Sequence, residues 1–309
     1  MINNVLPMII FTLLAQLSVG AFIILGVVQV FASRRYGKDA VEEFTDPALY
    51  AIGPALVLGL ATSLLHMHDL TNTLNVVRHL GSSWLSNEIV FGVCFAGLGF
   101  LFAAMQWNKW GSVPLRQALA ALTALAGLGF VYSMSMIYYT LPTVPAWHTW
   151  ATPVQFFTTT FLLGTLAVGA ALALTVMWRR RGATKAGGEL DDNRAGELLT
   201  TCLKGIGVSA IILLGVEFIT IPLHISNLSA AGGVAAESAG VFSGVWFISR
   251  LVLVFLGAGL LAVFLFRYAA TRANPRMLAG LATTAFALVL VGEFIGRSQF
   301  YQSMIRIGM

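Results

Sequence analysis

The sequence predicts an all-α, polytopic membrane protein with eight transmembrane helices and both termini on the outer side of the membrane. Composition is the first reason, because 58% of the 309 residues are apolar and only 10% are charged. Together with a mean hydropathy of +0.83, this lies far from the balance found in soluble domains. The second reason is a series of apolar stretches of roughly 20 residues, the length that crosses a bilayer as a helix. The third is that Lys and Arg gather in alternate loops.

Short connections separate these apolar stretches, and none is long enough to hold a soluble domain. The longest, around residues 182–195, has the Gly, Asp and Lys content of a solvated linker. The chain is therefore predicted to be a single integral membrane domain over residues 1–309. Eight helices are also compatible with two packed four-helix units. The eight predicted spans are Met8–Ala32, Ala48–Met67, Ile89–Met105, Ala118–Tyr138, Val154–Met177, Gly205–Leu223, Val245–Phe266 and Met277–Ile295.

The basic residues set the predicted orientation of these helices. Loops rich in Lys and Arg stay in the cytoplasm, so the connections between helices 1 and 2, 3 and 4, 5 and 6, and 7 and 8 are predicted to be cytoplasmic. The net charge of +5 then reflects membrane orientation, and it gives no support to a nucleic-acid partner. The residues that carry this pattern are Arg34, Arg35, Lys38, Lys109, Arg116, Arg179, Arg180, Arg181, Lys185, Arg194, Lys204, Arg267, Arg272 and Arg276.

All five histidines fall on the predicted outer side, where helix 2 ends in His66, His68 and Asp69. In the residues that follow, apolar side chains recur at near-helical spacing among polar ones, and Arg78 is one of the polar ones. This pattern predicts an interfacial amphipathic segment that covers the outer ends of the helices. Two imidazoles and a carboxylate thus arrive together at the membrane surface.

Helix 3 opens with Ser86, Asn87 and Glu88 ahead of a long apolar run. One interpretation is structural: Ser86 caps the helix, and the positive helix terminus favours Glu88. The other is functional, because a carboxylate at membrane depth is costly to keep and marks a site for protons or ions. In that case Glu88 is a proton carrier that faces His66. The two interpretations are compatible.

Two further outer segments carry polar and aromatic groups. The loop after helix 4 contains Trp147 and His148; the tryptophan fits an aromatic belt at the interface, and the histidine fits either a solvated loop or the same pocket. Helix 6 places Glu217, Thr220 and His224 on one face at spacings of three and four residues.

Charged residues also occur inside the predicted helices 7 and 8. Arg250 near the start of helix 7 lies at the same outer level as Glu293 and Arg297 near the end of helix 8. An unpaired charge at this depth is expensive, so these three residues are predicted to form structural ion pairs.

Imidazoles, carboxylates and aromatic rings at the edge of the hydrocarbon layer suit a lipid-soluble quinol. Its ring must be packed, its hydroxyls hydrogen-bonded and its two protons accepted as two electrons leave. A haem held by His66 and His224 is one rival, although the inner side offers no ligands for a second haem. A transporter is another, favoured by Gln16 and the other polar residues within helices. The two cysteines, Cys94 and Cys202, are too few for an iron–sulfur cluster or a zinc site.

The sequence also resembles a known family over essentially its whole length. The resemblance rests on Ser63-Leu64-Leu65-His66, on Leu85-Ser86-Asn87-Glu88-Ile89, on Thr143-Val144-Pro145 through Trp150-Ala151-Thr152-Pro153, and on Gly292-Glu293-Phe294-Ile295-Gly296-Arg297 with Phe300-Tyr301. Gln16 followed by Gly20 adds to it. These segments resemble the membrane anchor subunit of anaerobic dimethyl sulfoxide reductase.

The resemblance implies a haem-free anchor of the bacterial inner membrane that oxidises menaquinol in anaerobic respiration. Electrons would pass to a four-cluster iron–sulfur subunit and then to a molybdopterin catalytic subunit. Because the site is predicted at the outer ends of the helices, we expect these partners to dock on the outer face. His66 would be the quinol-site histidine and Glu88 its associated carboxylate. Beyond the resemblance, our own hypothesis is that Gln16, Arg78, Ser86, Asn87, Trp147 and His148 complete the pocket, and that His68 and Asp69, together with Arg78, line the proton exit.

The sequence departs from that family where Met67-His68-Asp69 follows the quinol-site histidine in place of Leu-Gly. This departure bears on how protons leave the site. The terminal acceptor stays open because another subunit sets it, and the reverse direction, quinone reduction driven by a formate-type dehydrogenase, stays open as well.

Overall fold

The structure, a computed structural model, describes residues 2–64, 79–186, 190–270 and 274–308, and in these ranges the ordered elements are all helices. The helices are α1 Ile2–Tyr36, α2 Lys38–Leu64, α3 Trp84–Asn108, α4 Val113–Tyr139, α5 Ala151–Ala186, α6 Leu190–Ala231, α7 Gly233–Ala239, α8 Gly244–Val254, α9 Ala262–Ala270 and α10 Pro275–Gln302. A π-helical turn, Phe255–Leu261, joins α8 to α9 in one continuous helix.

Seven helices in the described ranges are long and apolar enough to cross a membrane. They correspond to the first predicted span and to the third through eighth. The second predicted span, Ala48–Met67, begins inside α2 and continues past Leu64, so its last residues lie outside the described part of the chain. The all-helical architecture with seven membrane-length helices is therefore confirmed in the described residues, and the second span, with the total of eight, stays a prediction.

Several helices run well beyond the apolar stretches that predicted them. The predicted linker around 182–195 is wrong in this respect, because α5 continues to Ala186 and α6 already begins at Leu190. A hydropathy pattern detects only the part of a helix that lies in hydrocarbon. The polar extension of α5 is tied to α2 by an ion pair of 2.8 Å between Arg179 and Glu43.

The centre of the bundle is formed by α1 and α5, whose most apolar windows are 67% and 72% buried, against 28% to 44% for the other membrane-length helices. The two helices cross at Gly20 and Gly164, where a Cβ on Gly20 would lie 1.9 Å from the carbonyl oxygen of Thr160. Only glycine permits so close an approach of two backbones. Helices α2, α3 and α4 pack on one side of this centre, and α6, α8, α9 and α10 on the other.

The two ends of the bundle differ in chemistry. At the first end, which we call the aromatic end, the backbone N–H of Ile307 donates to the carbonyl of Thr143 at 2.9 Å. Tyr301 near the end of α10 also contacts Thr12 near the start of α1. Both termini of the described chain therefore lie at the aromatic end, and its assignment to the outer side of the membrane stays a prediction.

The second end, which we call the basic end, is held by a cluster of charges between α2, α3 and α4. Lys109 Nζ lies 2.9 Å from Glu42 Oε2 and 3.3 Å from Asp46 Oδ2. Arg116 donates to Gln106 at 2.8 Å and lies 3.6 Å from Glu42. Burial alone would raise the pKa of Glu42, but its bonds to Lys109 and Gln106 and the nearby cations lower it overall. Burial opposes the charge of Lys109, yet its two acidic partners raise its pKa overall.

Candidate functional site at the aromatic end

Glu88 is a buried carboxyl in the second turn of α3, with 7% of its surface exposed. The helix begins at Trp84, and its N-cap is Ser83, whose hydroxyl accepts from the backbone N–H of Ser86 at 3.5 Å. The interpretation of Ser86 as the N-cap is therefore wrong. Because the helix dipole acts mainly within the first turn, it does not account for a carboxyl at the position of Glu88.

Ser86 and Asn87 have different surroundings. Ser86 is buried, with 6% of its surface exposed. The side-chain oxygen of Asn87 accepts from the backbone N–H of Gly81 at 2.9 Å. Gly81 has a positive φ of 81°, which glycine adopts without strain. Asn87 thus fastens the turn that precedes α3.

Two buried tyrosines lie close to Glu88. The hydroxyls of Tyr138 and Tyr301 are 2.9 Å apart, although the residues are far apart in the sequence. The Glu88 carboxyl is near enough to interact electrostatically with both hydroxyls, and the Tyr301 hydroxyl also contacts Thr12. A carboxyl and two phenols, all groups that exchange protons, are therefore gathered between α1, α3, α4 and α10.

Arg297 is buried in the same region and is held by uncharged partners. Its Nη2 donates to Gln16 Oε1 at 2.9 Å, and Gln16 Nε2 in turn donates to the carbonyl of Phe156 at 2.9 Å. The guanidinium lies 3.9 Å from the ring centroid of Phe156 and 5.4 Å from that of Phe300. A cation over an aromatic face is stabilised by the ring quadrupole, so the two rings help to hold a charge that water does not reach.

Trp147 belongs to the core of the protein, and the interpretation of this residue as an interfacial anchor is wrong. It is 5% exposed, whereas Trp150 is 47% exposed. Its indole N–H donates to the carbonyl of Phe300 at 2.8 Å, and its ring stacks on that of Phe300 at 5.3 Å. His148, in contrast, is exposed and directs Nδ1 towards the carbonyl of Tyr139 at 2.5 Å.

A second group of buried charges lies between α6, α8 and α10. Arg250 Nη2 bonds Glu217 Oε1 at 2.9 Å, and Glu293 Oε2 accepts from the hydroxyl of Thr159 at 2.7 Å. Arg297 lies within electrostatic range of Glu293 and Arg250. The contacts nevertheless differ from the predicted pairing among the three, because the ion-pair partner of Arg250 is Glu217 on α6. A Cβ on Gly296 would meet the Arg250 guanidinium at 2.4 Å, which shows that the arginine lies flat on this glycine.

His224 extends this group towards the loop between α4 and α5. It is 5% exposed, its Nδ1 lies 3.4 Å from the hydroxyl of Thr149, and its ring meets that of Phe242 edge to face at 5.6 Å. The predicted polar face of helix 6 is thus buried along its length, since Glu217 and Thr220 are each 4% exposed.

Four of the predicted site residues, His66, His68, Asp69 and Arg78, lie outside the described residues. Of the others, Gln16, Ser86, Glu88, Trp147, Arg250, Glu293 and Arg297 are buried at or near the aromatic end, whereas Asn87 is partly exposed and His148 is exposed.

Sequence reasoning missed Tyr138, Phe156, Thr159 and the role of Tyr301. A tyrosine at the end of a predicted span is most simply assigned to the aromatic belt, and nothing local distinguishes a buried one. The run of three threonines at 158–160 inside an apolar helix was an available signal, because hydroxyls in hydrocarbon seek polar partners.

The arrangement can do one kind of chemistry well. A buried carboxyl within electrostatic range of two phenols can take up a proton and release it again. The aromatic rings of Trp147, Phe300 and Tyr138 pack against one another in the same region.

Comparison with known proteins shows the family to which the sequence belongs. A family model described as the DMSO reductase anchor subunit (DmsC) matches residues 2–302. Two anaerobic dimethyl sulfoxide reductase subunits of Escherichia coli strain K12 are similar to this protein. One is 29% identical and the other, YnfH, is 30% identical, and both alignments cover 98% of this sequence and 96% of the relative. An anaerobic dimethyl sulfoxide reductase subunit of Haemophilus influenzae is 26% identical over the same shares of the two sequences.

Proposed function

The protein belongs to the family of DMSO reductase anchor subunits, and on that premise we propose that it oxidises menaquinol at its aromatic end. As a member of that family it is a multi-pass membrane anchor of a dimethyl sulfoxide reductase type complex. In the proposal, electrons from the quinol enter a four-cluster iron–sulfur subunit and then a molybdopterin catalytic subunit. The membrane is the bacterial inner membrane, and the aromatic end faces outward.

The observation that carries this proposal is the burial of the Glu88 carboxyl within electrostatic range of the bonded pair Tyr138 and Tyr301. Membrane proteins keep a carboxyl at such a depth where it pairs with other polar groups or handles protons and ions. Oxidation of a quinol releases two protons and two electrons, so the site needs groups that accept protons while the electrons leave. A carboxyl within a membrane-spanning helix meets that need.

In the proposed reaction the quinol gives up two O–H protons and two electrons and becomes the quinone. His66 hydrogen-bonds one quinol hydroxyl and accepts its proton, and Glu88 accepts or relays the other. His66 lies outside the described residues, so its part rests on the resemblance to the family. His68, Asp69 and Arg78 line the route by which protons reach the outer water.

The neighbouring residues position this chemistry and do not carry it. Tyr138 and Tyr301 fix each other's hydroxyls by their hydrogen bond, within electrostatic range of the Glu88 carboxyl. Gln16 and Arg297 tie α1 to α10 behind that pair. Trp147 stacks on Phe300 and so holds the loop that follows α4 against α10. A rigid surround of this kind keeps the acceptor groups within hydrogen-bond reach of the ligand.

Electrons released at this end must reach the partner without crossing the membrane. The partner subunits are therefore proposed to dock at the aromatic end, where the loop of residues 140–150 and the segment 303–308 come together. Trp150 and Ile307 are exposed there, at 47% and 59%, and they offer apolar contact area for the iron–sulfur subunit. A structure of the complex with the partner at the basic end would contradict this placement.

The test is the binding of a fluorescent hydroxyquinoline-N-oxide inhibitor to membranes that contain the assembled complex. Glu88→Gln and His66→Ala are expected to abolish the stoichiometric quenching that the native complex gives. Glu237→Gln is the matched control, because Glu237 is an exposed carboxylate on α7 and its variant should quench like the native protein. Equal quenching by all four proteins would remove the proposed site from the aromatic end.

A further inference from the structure

A long cleft opens at the basic end, between α1, α2, α3 and α4. Its volume is about 750 Å³, within the range of about 300–1,000 Å³ that small-molecule sites occupy. Phe22, Leu25 and Phe102 line its deep part, while Val30 and Phe31 form part of its outer wall. Val30 is 53% exposed and Phe31 is 66% exposed, so in a membrane this wall faces lipid.

The mouth of the cleft is polar and carries an excess of positive charge. Arg34 and Lys38 line it and are exposed, and Glu42 lines it as well but is bonded to Lys109. Arg116 lines the wall below them and is 8% exposed. Its Nε has no hydrogen-bond partner among the described residues. A buried N–H donor without an acceptor costs free energy, so the cleft wall offers a donor for a ligand.

The length of the cleft matches one leaflet of a bilayer. Phe22 and Arg34 are both on α1 and both line it, and at 1.5 Å per residue their separation along the helix is about 18 Å. One leaflet of the hydrocarbon core is about 15 Å thick. A ligand that fills the cleft therefore has an apolar tail about one leaflet long and an anionic head at the level of the two basic side chains.

We propose that this cleft is a binding site for an anionic phospholipid of the membrane, with an acyl chain between α1 and α4 and the phosphate at Arg34 and Lys38. Basic pockets between membrane helices on the cytoplasmic side bind anionic headgroups, and the basic end is predicted to be cytoplasmic. A zwitterionic lipid fits the apolar part equally well, but it adds no net charge to complement the mouth. The site is at the opposite end of the bundle from Glu88 and does not depend on quinol oxidation.

Two independent substitutions test the two halves of the site. Arg34→Gln with Lys38→Gln removes the charge at the mouth, and Arg35→Gln is the control because Arg35 does not line the cleft and lies over the ring of Tyr36. Gly26→Leu fills the apolar part, since Gly26 lines the cleft and a Cβ there meets no atom within 4 Å. Gly97→Leu is its control, because a Cβ on Gly97 also meets no atom within 4 Å.

The assembled complex of each variant is purified in mild detergent, and its bound lipids are identified and counted by native mass spectrometry. Phosphatidylglycerol and phosphatidylcholine are then titrated back in separate experiments. The native complex and both controls are expected to retain and rebind phosphatidylglycerol in preference to phosphatidylcholine. Loss of the two mouth charges should weaken phosphatidylglycerol binding about 30-fold, equivalent to about 1 kcal/mol for each basic side chain at the membrane surface. Gly26→Leu should reduce binding of both lipids.

Three results would overturn the proposal. One is equal retention of phosphatidylglycerol by the native complex and by both cleft variants. The second is equal affinity of the native complex for the two lipids. The third is a bound quinone, or a second copy of the protein, that the cleft substitutions displace in place of a lipid. The controls show whether a loss comes from the cleft or from damage to the fold.

Discussion

Because α1 and α5 cross closely at Gly20, we expect the substitution Gly20→Ala to destabilise the protein. A Cβ added there would lie 1.9 Å from the carbonyl oxygen of Thr160, whereas carbon and oxygen atoms in contact are about 3.3 Å apart or more. The two helices must therefore separate locally by about 1.4 Å in Gly20→Ala. Overpacking of this kind costs about 1–3 kcal/mol.

The same movement reaches the candidate site. Gln16 is one turn before Gly20 and donates to the carbonyl of Phe156 at 2.9 Å. A separation of 1.4 Å would stretch this bond to about 4.3 Å, beyond hydrogen-bond range. A buried amide left without its partner costs about 1–3 kcal/mol, so the total destabilisation is about 2–6 kcal/mol.

The assay is the thermal unfolding midpoint of the detergent-extracted complex, together with the yield of assembled complex from membranes. Gly26→Ala is the control on the same helix, because a Cβ on Gly26 meets no atom within 4 Å. At about 2 °C per kcal/mol, Gly20→Ala should lower the midpoint by about 4 °C or more, and Gly26→Ala should leave it unchanged. Equal midpoints for the two variants would refute the close crossing.

Further substitutions test other contacts. Glu217→Leu leaves Arg250 buried without its partner and should cost about 3–5 kcal/mol, whereas the double variant with Arg250→Met should recover most of the assembled complex; a double variant no better than the single one would contradict this. Trp147→Ala should lower the melting midpoint through a loss of about 3–5 kcal/mol, and Trp150→Ala should not, since only Trp147 is buried; a similar loss for both would contradict the assignment of Trp147 to the core. Lys109→Gln should cost no more than about 1 kcal/mol, because this ion pair is partly exposed. The stability that Glu42 contributes is fully present above its unfolded pKa near 4.5, and it is lost as the pH falls through the lowered pKa of Glu42 in the folded protein. The stability that Lys109 contributes is present below pH 10.5 and is lost as the pH rises through its raised pKa in the folded protein. The difference in melting midpoint between the native protein and Lys109→Gln should therefore persist between these two pH limits and shrink outside them, in melts at several pH values. A difference in midpoint that does not depend on pH would contradict this ion pair.

The membrane architecture was predictable because hydrocarbon imposes a simple rule on the sequence. A span needs a run of apolar residues, and seven such runs are membrane-length helices in the described residues. Their full extents were not predictable in the same way. The part of α6 between Leu190 and Gly205 is polar and helical, and its hydropathy does not distinguish it from a loop.

The candidate site was predictable in its chemistry but not in its contacts. Burial of Glu88 followed from its place at the start of an apolar run. The partnership of Tyr138 with Tyr301 joins residues 163 positions apart, and no local pattern reports such a contact. Trp147 and Trp150 are nearly adjacent and of the same type, and only the packing of Phe300 against Trp147 separates their roles.

The measurement that tests the central claim most directly is the reduction of the partner's iron–sulfur clusters by a menaquinol analogue, followed by electron paramagnetic resonance. Native complex and Glu88→Gln are compared, with dithionite as a reductant that does not need the quinol site, and Glu237→Gln as the exposed-carboxylate control. We expect dithionite to reduce the clusters in all three proteins, whereas the quinol should reduce them only in the native complex and the control. Reduction by quinol at the native rate in Glu88→Gln would contradict the proposal that this buried carboxyl serves quinol oxidation.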